Sequence, residues 1–254
     1  MSSTAPTPRG EHPPRPGIEY GDRFRIGMLV PSGNIVAEPQ VKAMLPPGVA
    51  VYSTRLPLTG SSREELLAMV EDVEHGTQLL ADARVDLIAF NCTAVSTYSK
   101  EMESGIKTRI AGVAKGPVVA TSEALVAALQ VLEARRIGLI TPYIKVVNER
   151  EARFLEAAGF EVLVDVGLGI ATNAEMGRAP PERWLELVRQ HRNDNVDAYL
   201  VSCTAIRSAE VIDEMEQATG RPVITSNQAL VWYCLRQGGI TDRVNGFGRL
   251  LAKH

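Results

Sequence analysis

Residues 86–96 read Asp-Leu-Ile-Ala-Phe-Asn-Cys-Thr-Ala-Val-Ser, and residues 197–207 read Asp-Ala-Tyr-Leu-Val-Ser-Cys-Thr-Ala-Ile-Arg. Each is a short apolar run, then one polar residue, then Cys-Thr-Ala. A continuous apolar run of this length, ending in small polar residues, is the pattern of a buried strand of a parallel sheet. The chain therefore presents a cysteine twice, Cys92 and Cys203, just past the carboxyl end of such a strand.

The duplication extends outward. Arg25-Ile26-Gly27-Met28-Leu29-Val30 is echoed by Arg136-Ile137-Gly138-Leu139-Ile140-Thr141, and Ile26 maps onto Ile137 with the same offset of 111 positions that maps Cys92 onto Cys203 (137−26 and 203−92). Gly116-Pro117-Val118-Val119-Ala120-Thr121-Ser122 is echoed by Arg221-Pro222-Val223-Ile224-Thr225-Ser226. A repeat of about 110 residues, each copy alternating strands and helices, predicts two similar parallel-sheet α/β lobes related by a pseudo-twofold. In open parallel sheets ligands bind beyond the carboxyl ends of the strands. The active site is thus expected in the cleft between the lobes, with Cys92 and Cys203 facing each other across it.

Local patterns fill in the rest. Strands are predicted over residues 25–30, 51–56, 85–90, 118–121, 136–143 and 163–166. Ser62 with Glu65 three residues on is a capping box. It opens one long helix carrying Leu66, Met69, Val70, Val73 and Leu80 at helical spacing. Further helices are expected over 122–134, 149–158, 181–192 and 227–237, followed by a glycine-rich tail, Asn245-Gly246-Phe247-Gly248-Arg249. Residues 1–23, with Pro6, Pro8, Pro13, Pro14 and Pro16, cannot bury a core and are expected to be a disordered tail. Residues 24–121 with 227–254 are assigned to the first lobe and 122–226 to the second.

Composition narrows the function. The 254 residues are 45% hydrophobic and 22% charged, with a formal net charge of −3. The composition is ordinary for a soluble globular protein, and the net charge argues against a nucleic-acid binder, which needs a clustered basic surface. No apolar run approaches the ~20 residues of a membrane span. The start shows no secretory pattern, and three cysteines without a C-x-x-C pair make neither a disulfide framework nor a structural zinc site. A cytoplasmic protein with reduced thiols, no metal and no cofactor is expected.

Two opposed thiols can do acid and base work on opposite faces of one carbon. Like charges repel at short range, so one thiolate and one thiol is the expected resting pair. A turn followed by a helix start after each cysteine would supply N–H groups from Thr93, Ala94, Thr204 and Ala205 and lower the thiol pKa. None of the four histidines belongs to the pattern, so a Cys–His nucleophile is disfavoured. Cys234, inside an apolar helix, reads as core.

Two half-repeats that each end a strand in Cys-Thr resemble the aspartate/glutamate racemase superfamily, over roughly residues 25–251. Within it, Pro31-Ser32-Gly33-Asn34, both cysteines, Tyr143, and Asn173 in Ala171-Thr172-Asn173-Ala174-Glu175-Met176-Gly177 are similar to the maleate cis–trans isomerases. Tyr143-Ile144, Val147-Asn148-Glu149-Arg150 and Gly246-Phe247-Gly248-Arg249-Leu250 are similar to the arylmalonate decarboxylases, which carry one cysteine, matching Cys203, and a small residue in place of Cys92. Two features depart from the isomerase pattern: Gly33, and the racemase-like Asn91-Cys92-Thr93-Ala94. The isomerase resemblance implies a small dicarboxylate substrate, Cys92 as nucleophile and Cys203 as acid and base. Asn34, Tyr143, Asn173, Ser32, Thr93, Ala94 and Thr204 would then hold carboxylates, in a homo-oligomer (dimer or tetramer). The alternatives are a two-cysteine racemase of an amino acid or hydantoin, and a malonate decarboxylase using Cys203. A non-catalytic two-lobed sensor and a redox dithiol rank below these.

Overall fold

The computed structural model describes residues 18–254; the proline cluster read as a tail lies outside the described residues. Among the described residues, eight strands form two sheets. The first contains β1 (Phe24–Pro31), β2 (Val49–Leu56), β3 (Leu87–Phe90) and β4 (Val118–Ala120) in the order β2-β1-β3-β4. The second contains β5 (Arg136–Tyr143), β6 (Glu161–Ile170), β7 (Ala198–Val201) and β8 (Val223–Thr225) in the order β6-β5-β7-β8. Every pairing within the two sheets is parallel. The two orders are the same pattern applied twice, as the internal repeat requires.

The repeated residues hold repeated places. Asp86 accepts from the Arg25 N–H at 2.7 Å, and Asp197 accepts from the Arg136 N–H at 2.8 Å, tying the start of each central strand to the next. The glycine after each isoleucine makes room for a neighbour. A Cβ on Gly27 would lie 2.8 Å from Val85 Cγ2, and one on Gly138 would lie 2.7 Å from the Tyr199 ring. The central strands β3 and β7 are buried along their whole length, which is why both read as unbroken apolar runs. The helices Thr121–Val131 and Ser226–Gln237, which follow the equivalent strands β4 and β8, pack against each other between the sheets.

Several expectations are revised. The single long helix after Ser62 is two, Arg63–Glu71 and Val73–Asp82, broken at Asp72. The capping box is present, with Glu65 N–H donating to Ser62 Oγ at 3.2 Å. The break lets the second helix lie close on the sheet at Gly76, where a Cβ would meet Leu56 at 2.7 Å and Leu29 at 3.0 Å, while Leu66 on the first turns toward the interlobe cleft. The glycine-rich end is not a loose tail. Gly248, at φ +79, donates its N–H to Asp213 at 2.7 Å and opens a helix, Gly248–Lys253, docked on the helix Ile212–Thr219. Helices Ala37–Met44, Lys100–Val113 and Ile212–Thr219 were not anticipated. The helix expected at 149–158 runs Lys145–Ala157, and the strand expected at 163–166 runs Glu161–Ile170. Among the described residues no helix is long and apolar enough to cross a membrane.

Candidate active site

Both cysteines open onto one small cavity between the sheets. Its walls include Pro31, Leu58, Gly60, Ser61, Leu66, Cys92, Thr93, Ala94, Tyr143, Asn173, Met176, Cys203, Thr204 and Ala205. The strand-end rule and the repeat together produce this meeting. β3 and β7 occupy the same position in their sheets, so the residues after them converge on one point.

Cys92 sits at the start of a single helical turn, Thr93–Ser96, in extended backbone conformation. The backbone N–H groups of Ala94 and Val95 approach its sulfur, and the Arg150 guanidinium favours its charge from farther off. Cys203 is followed by a tight turn instead; its next helical residues are the short segment Ala209–Val211. The helix start expected there is absent, and the Ala205 N–H, 3.2 Å from Cys203 Sγ, supplies the donor from within the turn. The Tyr143 hydroxyl favours the charged form of Cys203, and Met176 Sδ lies 3.9 Å from its sulfur.

The expected low thiol pKa is not found in this closed state. Burial pushes both Cys92 and Cys203 up to about 12, outweighing the N–H donors and the Tyr143 hydroxyl. Burial and the neighbouring thiol and carboxyl groups likewise push Tyr143 well up. Both sulfurs are thus thiols at neutral pH, rather than one thiol and one thiolate.

The remaining candidates fall into two groups. Tyr143, Asn173, Thr93, Ala94 and Thr204 line the cavity; Asn34 and Ser32 do not. Asn34 is buried behind it. Its Oδ1 accepts the N–H groups of Val36 and Ala37 at 2.9 and 3.0 Å, starting the next helix, and its Nδ2 donates to Thr204 Oγ1 at 3.2 Å across the lobes. Ser32 is exposed and bonds to Leu58. Asn173 Nδ2 donates to the Leu58 carbonyl at 3.2 Å, and Asn173 N–H to Thr59 O at 3.0 Å. With the Gly60–Thr172 bridge and the Ser61 Oγ bond to Ala171 O at 2.8 Å, these contacts zip one loop from each half into a roof.

Sequence reading missed the buried polar groups behind the cysteines. Glu151 is fully buried and accepts from Ser202 Oγ, beside Cys203. Asn91, beside Cys92, donates to Asn227 at 3.1 Å, and Asn227 donates to Gln40 at 2.8 Å. Arg150, half-buried, stacks 4.2 Å from the Tyr98 ring and donates to Ala94 O at 3.2 Å. Among the described residues no histidine lines the cavity and no cluster of His, Cys, Asp or Glu could hold a metal ion.

This architecture defines a two-lobed α/β protein built around a pair of opposed thiols. The arylmalonate decarboxylase family model matches residues 26–251, and the chain belongs to that family. It is 30% identical over 244 residues to a maleate isomerase of Geobacillus stearothermophilus, covering 90% of this chain and 97% of that protein. It is 31% identical over 234 residues to an arylmalonate decarboxylase of Bordetella bronchiseptica, covering 89% and 95%. Its structure superposes with a TM-score of 0.85, at 29% identity over 91% of this chain and 99% of the other, on a cysteine-to-serine variant of Nocardia farcinica maleate cis–trans isomerase that holds a covalently bound succinylcysteine intermediate.

Proposed function

We propose that the protein is a cis–trans isomerase of a small dicarboxylate of the maleate type, working by cysteine addition. The observation that carries this reading is the pair: Cys92 and Cys203 line one cavity. A decarboxylase of this family needs only the second thiol. An addition–elimination isomerase uses both, one to attack carbon and one to move a proton.

With the site open to solvent, Cys92 gives its proton to water and the thiolate adds to one alkene carbon of maleate, while the adjacent carbon takes the proton of the Cys203 thiol. The product is a succinyl thioether on Cys92 and a thiolate on Cys203. The former double bond is now single and rotates. Cys203 removes the proton, the C–S bond breaks, and fumarate leaves with both sulfurs restored. The N–H donors at Ala94 and Val95 favour the Cys92 thiolate, and the Ala205 N–H favours the thiolate left on Cys203. Tyr143 and Asn173 are the side chains best placed to hold carboxylates. Asn34 acts from behind, by fixing Thr204.

The closed cavity measures about 20 Å³, room for about one water. Admission of a four-carbon diacid therefore needs the roof of residues 58–61 and 171–176 to part. Opening also lets solvent reach the sulfurs and relieves the burial that keeps them protonated. The same reading includes a cytoplasmic homo-oligomer, supported by the need for reduced thiols and by the exposure of Ile35 and Val146; light scattering reads its size.

Incubation with maleate, arylmalonates and acidic amino acids, followed by proton NMR in deuterium oxide, tests the reading. Fumarate from maleate is expected. Carbon dioxide release from an arylmalonate without maleate turnover would favour the decarboxylase alternative, which the apolar wall of Leu58, Leu66 and Met176 could serve. Exchange of an amino-acid α-hydrogen alone would favour a racemase.

A further inference from the structure

The 111-residue offset that relates Cys92 to Cys203 also relates Asn91 to Ser202 and Gln40 to Glu151. The members of each pair hold equivalent positions in the repeat, on the strand end before each cysteine and on the helix after each first strand, yet their chemistry differs. On the Cys92 side, Asn91 donates to Asn227 and Asn227 to Gln40, amides that carry no titratable proton. The chain runs on to the turn after Cys203, where Asn227 donates to Thr204 O at 3.0 Å and Gln40 to Ile206 O at 3.1 Å and to the exposed Glu210 carboxylate at 3.2 Å. Behind Cys203, the corresponding groups are a hydroxyl and a carboxyl. One Glu151 oxygen accepts from Ser202; the other, Oε2, is buried and has no hydrogen-bond partner among the described residues. Ser202 Oγ lies 3.3 Å from Ser226 Oγ, to which Thr93 Oγ1 donates at 2.9 Å, so the hydroxyl chain crosses to the opposite lobe.

We propose that Glu151 is a positioning residue that divides the labour between the two thiols. Its carboxylate, held behind Cys203 by Ser202, disfavours negative charge on Cys203 and leaves Cys92 as the sulfur that ionises. The inference rests on the isomerase reading, for which it supplies the reason that Cys92 is nucleophile and Cys203 proton donor.

The surroundings agree with this direction. Burial raises Glu151 to about 7, with Asp165 on β6 adding to the rise and Arg150 and the Ser202 hydroxyl opposing it. Even so, Glu151 ionises well before either thiol, at about 12. Its charge bears on Cys203, in the turn after β7, and on Tyr143, at the end of β5. Cys92 is influenced instead by the Arg150 cation and by Cys203. After Cys203 has given up its proton, the nearby carboxylate makes it a stronger base for the elimination half of the cycle.

Competitive alkylation tests this without any substrate. The protein is treated with iodoacetamide between about pH 6 and about pH 9, and labelling at Cys92 and Cys203 is read by peptide mass mapping. Both sulfurs share one cavity, so access cancels from their ratio. Wild type is expected to label at Cys92 first, with the preference growing about tenfold as the carboxyl ionises near pH 7, the size of a one-unit shift between like charges. Glu151→Gln should reduce the preference about tenfold at the alkaline end and flatten its pH dependence, and Glu151→Asp should restore part of both. A ratio that does not change with pH in wild type, or that is the same in Glu151→Gln, overturns the proposal. If Glu151→Gln does not fold, the wild-type pH profile alone decides. Loss of the isomerase reading would show separately, as an intact alkylation pattern without conversion of maleate.

Discussion

Compare the turn after Cys92 with the turn after Cys203. Both begin Cys-Thr-Ala, both follow the same strand of the same four-stranded order, and both open on the same cavity. Their neighbourhoods have diverged. Cys92 faces a helical turn, amide side chains and a half-buried arginine. Cys203 faces a tyrosine hydroxyl, a thioether and a hydroxyl that leads to a buried carboxyl. Duplication of a strand end is enough to put two thiols face to face. Only the unlike residues behind them can give the thiols different tasks.

Changes that strike the pair itself should have the largest effects. Cys92→Ala removes the attacking atom, and maleate turnover should fall by at least about 10⁴-fold; an NMR assay that still finds fumarate at the wild-type rate breaks the comparison. Cys203→Ser leaves a far weaker acid, so kcat should fall by about 10²- to 10⁴-fold in the same assay. Tyr143→Phe deletes a hydroxyl that favours the Cys203 thiolate and that is proposed to hold a substrate carboxylate. A loss of about tenfold to a hundredfold in kcat, smaller than that for deleting a full oxyanion donor, would sharpen the difference between the two sulfurs.

Smaller effects test the duplicated scaffold. Gly138→Ala pushes a methyl group to within 2.7 Å of the Tyr199 ring and should cost roughly 1–3 kcal/mol in denaturant unfolding, as overpacking does. Gly27→Ala, at the equivalent place against Val85, should cost a similar amount. The Arg136 guanidinium and two backbone N–H groups hold the Asp197 carboxyl down to about 2. A carboxyl depressed on folding contributes stability above its unfolded value of about 4 and loses it as pH falls from about 4 toward 2. Because the pair is largely exposed, Asp197→Asn should lower Tm by only about a degree or two at neutral pH, with the difference vanishing in acid.

Much of this was legible in the chain because repeats and strand ends are local signals. The apolar runs before Cys92 and Cys203 reported buried parallel strands, and the shared offset reported two equivalent sheets. The same offset could have led to Glu151 through Gln40, and to Ser202 through Asn91. What hid them was their type: a glutamate on a helix and a serine at a strand end are ordinary residues until burial makes them otherwise. Asn34 shows the reverse. Its motif suggested a ligand for carboxylate, but the local geometry uses it to start a helix and steady Thr204. The thiol pKa values were beyond reach as well, since desolvation depends on how tightly the roof closes, and that follows from contacts such as Asn173 to Leu58 between residues 115 apart in sequence.

The division of labour between the sulfurs is tested most directly by trapping the adduct. Cys203→Ser protein is incubated with maleate, digested, and its peptides are mapped by mass spectrometry. A succinyl group on Cys92, absent in the Cys92→Ala protein treated alike, is the expected result. Continued formation of fumarate with no adduct on Cys92, or an adduct carried by another residue, would contradict it.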